Sequence, residues 1–159
     1  RLTTMEDQPQ FYEEHQRLCP DALKPFVDYV LSPRRDVNLY CFAGVAYTEI
    51  PDRPYEFVFV DGPYHGSANG QMTCDLDFLE IVARSSQPVW GQIDGRITTA
   101  FAYQSLLPRS QVRFDPKRGI TFLGPLTKED LPMLDAPTLF YLAMLRRNDP
   151  KRYVPVSLR

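Results

Sequence analysis

Two apolar runs, Glu56-Phe57-Val58-Phe59-Val60 and Val89-Trp90-Gly91-Gln92-Ile93, each stop on an Asp-Gly pair, and each is followed by a helix-like stretch. That order constrains the fold more than any other feature. Short β-rich runs bounded by turn residues read as strands, and strands alternating with helical patterns argue for βαβ units in a parallel sheet. The first run is nearly continuous in apolar residues, which predicts a strand buried on both faces. After Asp61-Gly62 comes a Gly/Ser/Asn-rich loop over 62–70. The stretch Cys74–Arg84 then reads as a helix whose broad apolar stripe holds Leu76, Phe78, Leu79, Ile81 and Val82. After Asp94-Gly95 the next helix is expected over Ile97–Leu107, stopped by Pro108.

The flanks extend this pattern. Arg1–Met5 is β-capable and runs into Glu6-Asp7, and Pro9 then opens a helix over Gln10–Leu18, as proline does in a first turn. Phe11, His15 and Leu18 share one face of that helix, and Cys19-Pro20 ends it. Phe26–Leu31 is a further strand, and 34–54, polar and aromatic with several breakers, reads as loop and irregular structure. Gln111–Phe114 and Ile120–Leu123 flank the turn residues 115–119, a hairpin signature. Thr127-Lys128-Glu129-Asp130 resembles a capping box. A last helix is expected over Pro137–Arg147, followed by a basic tail. No linker divides the chain, so a single α/β domain over 1–159 is expected.

Composition removes several classes of function. With 159 residues, 43% of them hydrophobic, and a formal net charge of −2, the chain has material for a core and little tendency to disorder. No apolar run approaches the roughly 20 residues that cross a bilayer, and a membrane partner is not expected. Residues 1–104 carry 8 Lys/Arg against 15 Asp/Glu, whereas 105–159 carry 10 against 5. The basic third can attract a polyanion, but no nucleic-acid-binding motif accompanies it, so nucleic acid is not the expected partner. Cys19, Cys41 and Cys74 are odd in number and lack metal-ligand spacing. This fits reduced thiols in a cytoplasmic protein and no metal site.

The chemistry is expected at the carboxyl ends of the strands, where α/β sheets bind ligands. Three acidic strand ends stand there: Glu6/Asp7, Asp61 and Asp94. A carboxylate so placed accepts hydrogen bonds from hydroxyls or amines, and a following glycine lets the backbone approach a ligand, although Asp-Gly is also simply a good turn dipeptide. His65, in the loop Gly62-Pro63-Tyr64-His65-Gly66, is the better placed histidine for acid/base work. His15 reads as a packing or surface residue of its helix. No GxSxG, HExxH or Walker pattern is present.

Taken in order, Thr4-Met5-Glu6-Asp7 with Pro9-Gln10-Phe11-Tyr12, then Phe57-Val58-Phe59-Val60-Asp61-Gly62-Pro63, then Ile93-Asp94-Gly95-Arg96, resemble class I S-adenosylmethionine-dependent methyltransferases. The resemblance covers about residues 1–126, closing on the hairpin. It implies a three-layer Rossmann-like mixed sheet, mostly parallel with a C-terminal antiparallel hairpin. It also implies S-adenosylmethionine as cofactor and a small-molecule or sugar-like methyl acceptor. By the same resemblance Glu6, with Asp7 as second choice, holds the ribose hydroxyls, and Asp61 and Gly62 border the methyl donor. Asp61 and His65 are the catalytic candidates, and Tyr64, His65, Asp94 and Arg96 contact the acceptor. The family's first strand and glycine-rich loop have no counterpart here, since no GxG occurs in the chain. With Arg1 in place of an initiator Met, this leads to an expectation that the chain is the C-terminal two-thirds of such a domain, completed by a missing N-terminal segment or a second chain. Two other functions fit the same residues: a non-catalytic methyltransferase-like interaction module and a nucleotide-sugar-binding enzyme.

Overall fold

The computed structural model describes residues 1–39, 42–66 and 72–131. The chain forms β1 (Leu2–Glu6), α1 (Pro9–Leu18), β2 (Val27–Leu31), β3 (Arg34–Leu39), β4 (Phe42–Tyr47) and β5 (Phe57–Val60). Then come β6 (Cys74–Asp75), α2 (Asp77–Arg84), β7 (Val89–Ile93), α3 (Ile97–Leu106), β8 (Val112–Asp115) and β9 (Ile120–Leu126). The strands form three separate sheets, ordered β1-β2, β3-β4-β6 and β5-β7-β9-β8.

The expectation of one mostly parallel, Rossmann-like sheet is overturned. The β1–β2, β4–β6 and β5–β7 pairs are parallel, but the longest ladder, β3–β4, is antiparallel, as are β7–β9 and β8–β9. The sheets are mixed, and most paired residues lie in antiparallel ladders. The physical cause is twofold. The stretch 34–54, expected to be irregular, contributes the antiparallel β3–β4 pair, in register from Arg34↔Tyr47 to Leu39↔Phe42. In addition, β1 and β5 share no hydrogen bonds, so the parallel pairs never join into one sheet.

The core lies between the β5-β7-β9-β8 sheet and the two helices that follow its parallel strands. Phe78, Leu79 and Val82 of α2 and Ala102 and Tyr103 of α3 pack with Val89, Ile93, Leu123 and Leu126. Phe78 and Tyr103 meet with ring centroids 5.9 Å apart. This packing demands Gly91: a Cβ there would lie 2.6 Å from Cε2 of Phe78. Gly124 has φ +94° at the register shift between β7 and β9, with the Val89 carbonyl 2.7 Å from where its Cβ would stand. Only glycine fits both demands.

Two further expectations change. The helix expected from Cys74 starts at Asp77, because Cys74–Asp75 pairs with Gly44–Val45 of β4 as a short strand. The β5 strand is not buried on both faces: Phe57 and Phe59 are 56% and 53% exposed, while Val60 is buried. The face Phe11, His15 and Leu18 share on α1 does not reach the core, and α1 buries none of its residues. The turn Thr127–Asp130 does form the capping box, with Thr127 N–H donating to Asp130 Oδ2 at 2.8 Å. The helix expected over Pro137–Arg147 lies outside the described residues.

Candidate functional site

The carboxyl ends of β1 and β5 come together at one end of a cavity of about 1670 Å³. Glu6 and Asp7 stand on the β1 side, and Asp61 and Gly62 stand on the β5 side; all four line the cavity with Tyr64 and Arg96. The Tyr64 amide donates to Asp7 Oδ1 at 3.4 Å. The Tyr47 hydroxyl, from the end of β4, donates to the Met5 carbonyl at 2.9 Å, tying β1 to the second sheet. A Cβ on Gly62 would collide with that hydroxyl, so glycine lets the loop after β5 pass close to β4. Burial raises the Glu6 carboxyl above its usual range, with Asp7 and Asp61 adding repulsion against the opposing pull of His15. His15 Nδ1 lies 3.4 Å from Glu6 Oε1, so this histidine, read from sequence as packing or surface, faces the acid end.

Arg96 organises the other side. It sits just before α3, its side chain is only 11% exposed, and it gathers the loop after β5. Its Nη1 donates to the Pro63 carbonyl at 2.8 Å and to both Asp75 carboxylate oxygens at 3.2 Å, and its Nη2 donates to the Asp61 carbonyl. Its Nε lies 3.4 Å from Asp94 Oδ1 as an ion pair without hydrogen-bond geometry, and both atoms are buried. The Asp61 carboxylate, 63% exposed, is 3.8 Å from Nη2 and faces the open side. Burial lifts the Asp94 carboxyl to about 6, with a hydrogen bond to Asp61 adding to the effect and Arg96 opposing it.

His65 Nδ1 lies 3.4 Å from Arg96 Nη1. Burial and the guanidinium both hold its pKa below the usual imidazole value, so it is neutral near pH 7. A neutral ring that accepts from Arg96 through Nδ1 carries its proton on Nε2, a donor rather than a base. Its ring stacks on Tyr64 at 5.6 Å, and Arg34 lies 5.5 Å above the Tyr64 ring while donating to the Tyr64 carbonyl at 2.8 Å. The structure therefore brings Glu6, Asp7, Asp61, Gly62, Tyr64 and Arg96 to one end of the cavity, and places His65 and Asp94 behind Arg96.

Beneath these residues lies a second layer that the sequence did not announce. Asp75 is buried, its carboxyl lifted to about 6 by burial against the pull of Arg96 and Thr99. Thr99 Oγ1 donates to Asp75 Oδ2 at 2.9 Å and accepts from the Asp75 amide at 3.0 Å, and Tyr103 donates to the Asp75 carbonyl at 2.7 Å. Asp77 Oδ1 accepts the Tyr47 amide at 2.8 Å, and its carboxyl rises to about 7, chiefly through burial. The one signal that could have found them is the Asp75-Leu76-Asp77 pair of acids inside an otherwise apolar stretch.

Among the described residues no group of three or more His, Cys, Asp or Glu is arranged to hold a metal ion. The acid end does fit part of S-adenosylmethionine. Glu6 and Asp7 are acceptors suited to ribose hydroxyls, and three carboxylates suit a sulfonium cation. The carboxylate of the cofactor's methionine part finds no glycine-rich loop in this sequence to cradle it. Comparison of the chain with protein-family models, with curated proteins and with solved structures finds no match in any of the three.

Proposed function

We propose that the acid end of the cavity binds S-adenosylmethionine and that the protein methylates a small hydroxylated acceptor. The observation that carries this reading is the convergence of Glu6, Asp7 and Asp61 from two strand ends at one end of the cavity. When bound, S-adenosylmethionine supplies a methyl group on a positively charged sulfur, open to in-line displacement. Glu6, whose carboxyl is raised by burial, accepts from the ribose hydroxyls, and His15 steadies it from α1. Asp61 is the exposed carboxylate of its pair with Asp94, and it takes the proton that an acceptor hydroxyl gives up. Arg96 holds the Asp61 and Pro63 carbonyls and so fixes the loop that presents this group. Positioning, rather than strong acid/base chemistry, supplies most of the rate for such a displacement. The proposal includes a cytoplasmic location, supported by the odd, unpatterned cysteines; among the described residues no helix is long and apolar enough to cross a membrane.

Isothermal titration with S-adenosylmethionine and with S-adenosylhomocysteine tests the reading. Saturable binding is expected, weakened at least tenfold by Glu6→Ala with the fold intact by circular dichroism. No heat at millimolar ligand overturns it. A second reading, a module that works by binding another polypeptide, is favoured by β1 and β5, which line the same cavity and each pair with a single strand among the described residues.

A further inference from the structure

Tyr47, the last residue of β4, is a strut between the core and both sides of the acid end. Its amide donates to Asp77 Oδ1 at 2.8 Å, at the start of α2, and its hydroxyl donates to the Met5 carbonyl at 2.9 Å, one residue before Glu6. The same hydroxyl packs where a Cβ on Gly62 would stand. The inner anchor of this strut is poorly compensated. Asp77 is 7% exposed, and its Oδ2 is buried with no hydrogen-bond partner among the described residues. Around it stand Asp75 of β6, Glu80 of α2, Arg35 of β3, and Tyr47 and Tyr103 of β4 and α3. Arg35 is already engaged: its Nη2 pairs with Glu80, and its Nε donates to the Tyr47 carbonyl at 3.3 Å. An ionised Asp77 is therefore a buried charge facing two further acids, with one oxygen lacking a donor.

We propose that Asp77 is a proton-operated latch on the acid end: its neutral carboxyl keeps Tyr47 seated and β1 docked, and its ionisation releases both. The ionised carboxylate is stabilised by water, and Asp77 and Tyr47 both line the cavity that admits it. Hydrating Asp77 displaces Tyr47, the Met5 carbonyl loses its donor, and β1 carries Glu6 away from Asp61. The sign follows from burial, which lifts the Asp77 carboxyl from 3.8 to about 7 in the latched form. That form holds the proton more tightly than the released one, so latching is strongest below pH 3.8 and weakens as pH rises through about 7. The latch does not rest on the methyl-transfer reading, and its test uses no ligand.

The test is hydrogen exchange on the whole chain at pH 6 and pH 8, read as protection factors so that the intrinsic pH dependence of exchange is removed. Two strands freed from a core are marginal in water, so the amides of β1 report its release. Protection over Leu2–Glu6 is expected to fall at least threefold from pH 6 to pH 8, and by about tenfold at full coupling. Asp77→Asn, neutral at both pH values, is expected to remove this fall. Tyr47→Phe, which cuts the strut at its hydroxyl, is expected to lower protection at both pH values and also to remove the fall. Unchanged protection of β1 in the parent overturns the proposal, as does a fall that survives in either variant. Glu6 and His15 remain in both, so a surviving fall belongs to them. Should Asp77→Asn fail to fold, the Tyr47 amide resonance of the parent decides: it is expected to titrate between pH 6 and 8, and a flat profile overturns the latch.

Discussion

Arg96 works as a clamp because its guanidinium offers donors in several directions at once. It satisfies two loop carbonyls and the buried Asp75 carboxylate, and lysine has neither the fork nor the reach to do all three. Removing one partner of a buried ion pair leaves the other uncompensated, which costs about 3–5 kcal/mol. Arg96→Ala is expected to lower stability by that order in urea denaturation, with Arg96→Lys recovering only a part. Asp77 leads to a prediction about pH. Its carboxyl moves from 3.8 to about 7 on folding, so the folded state binds the proton more tightly than the unfolded chain. Its contribution is fully present below pH 3.8 and is lost as pH rises through about 7. Stability from this group therefore falls between those values, at up to roughly 1.4 kcal/mol per pH unit. Asp77→Asn keeps the acceptor for the Tyr47 amide and removes the titration. Urea midpoints between pH 5 and 8 are expected to slope less in that variant than in the parent.

At the scale of elements, the parts legible in the sequence were those whose own residues set their boundaries. Pro9 marks the start of α1 and Cys19-Pro20 its end; Asp61 and Asp94 stand directly after β5 and β7; Gly119, at φ +68°, turns the β8–β9 hairpin. The illegible parts are those decided by a distant partner. β3 is Arg-Arg-Asp-Val-Asn-Leu, with no run of alternating apolar residues, and it is a strand because β4 pairs with it along its whole length. Cys74 and Asp75 look helical locally, but β4 pairs with them and Thr99 and Tyr103 bind Asp75. The continuous apolar run of β5 does not bring two buried faces, because apolar content reports what a strand can bury, not what covers it. Of the site, the strand-end acids were legible, whereas His15, Asp75 and Asp77 depend on cross-chain geometry. Gly91 shows how tightly one element fixes the next. It pairs with Val58 on one side and Leu123 on the other, and Phe78 of α2 lies over it. Phe78 is fully buried and has nowhere to move. Gly91→Ala is expected to destabilise by about 1–3 kcal/mol through overpacking, seen as a lower thermal midpoint with the spectrum unchanged.

At the scale of the whole molecule, the described chain divides into a firm part and a loosely attached one. α2, α3, β7 and β9 supply most of the buried residues, whereas β1, α1 and β2 supply no fully buried apolar side chain and reach the core only through Met5. What holds that peripheral block is mainly polar: Tyr47 to the Met5 carbonyl, the Asp28–Arg53 pair and the Ser32 hydroxyl accepting the Glu49 amide at 2.9 Å. Exposed ion pairs contribute little, and a hydrogen bond contributes about 1 kcal/mol. Regions with little buried apolar area open at lower free energy than the core. Native-state exchange is therefore expected to be fastest over residues 1–31 and slowest in β7 and β9. Tyr47→Phe keeps the buried ring and removes only the hydroxyl that holds Met5. It is expected to speed exchange in β1 and β2 several-fold while leaving β7 and β9 as they were. Uniform acceleration across both parts would mean that the molecule opens as one unit. Selective acceleration would locate its weakest joint at the end of the cavity where Glu6 and Asp61 meet.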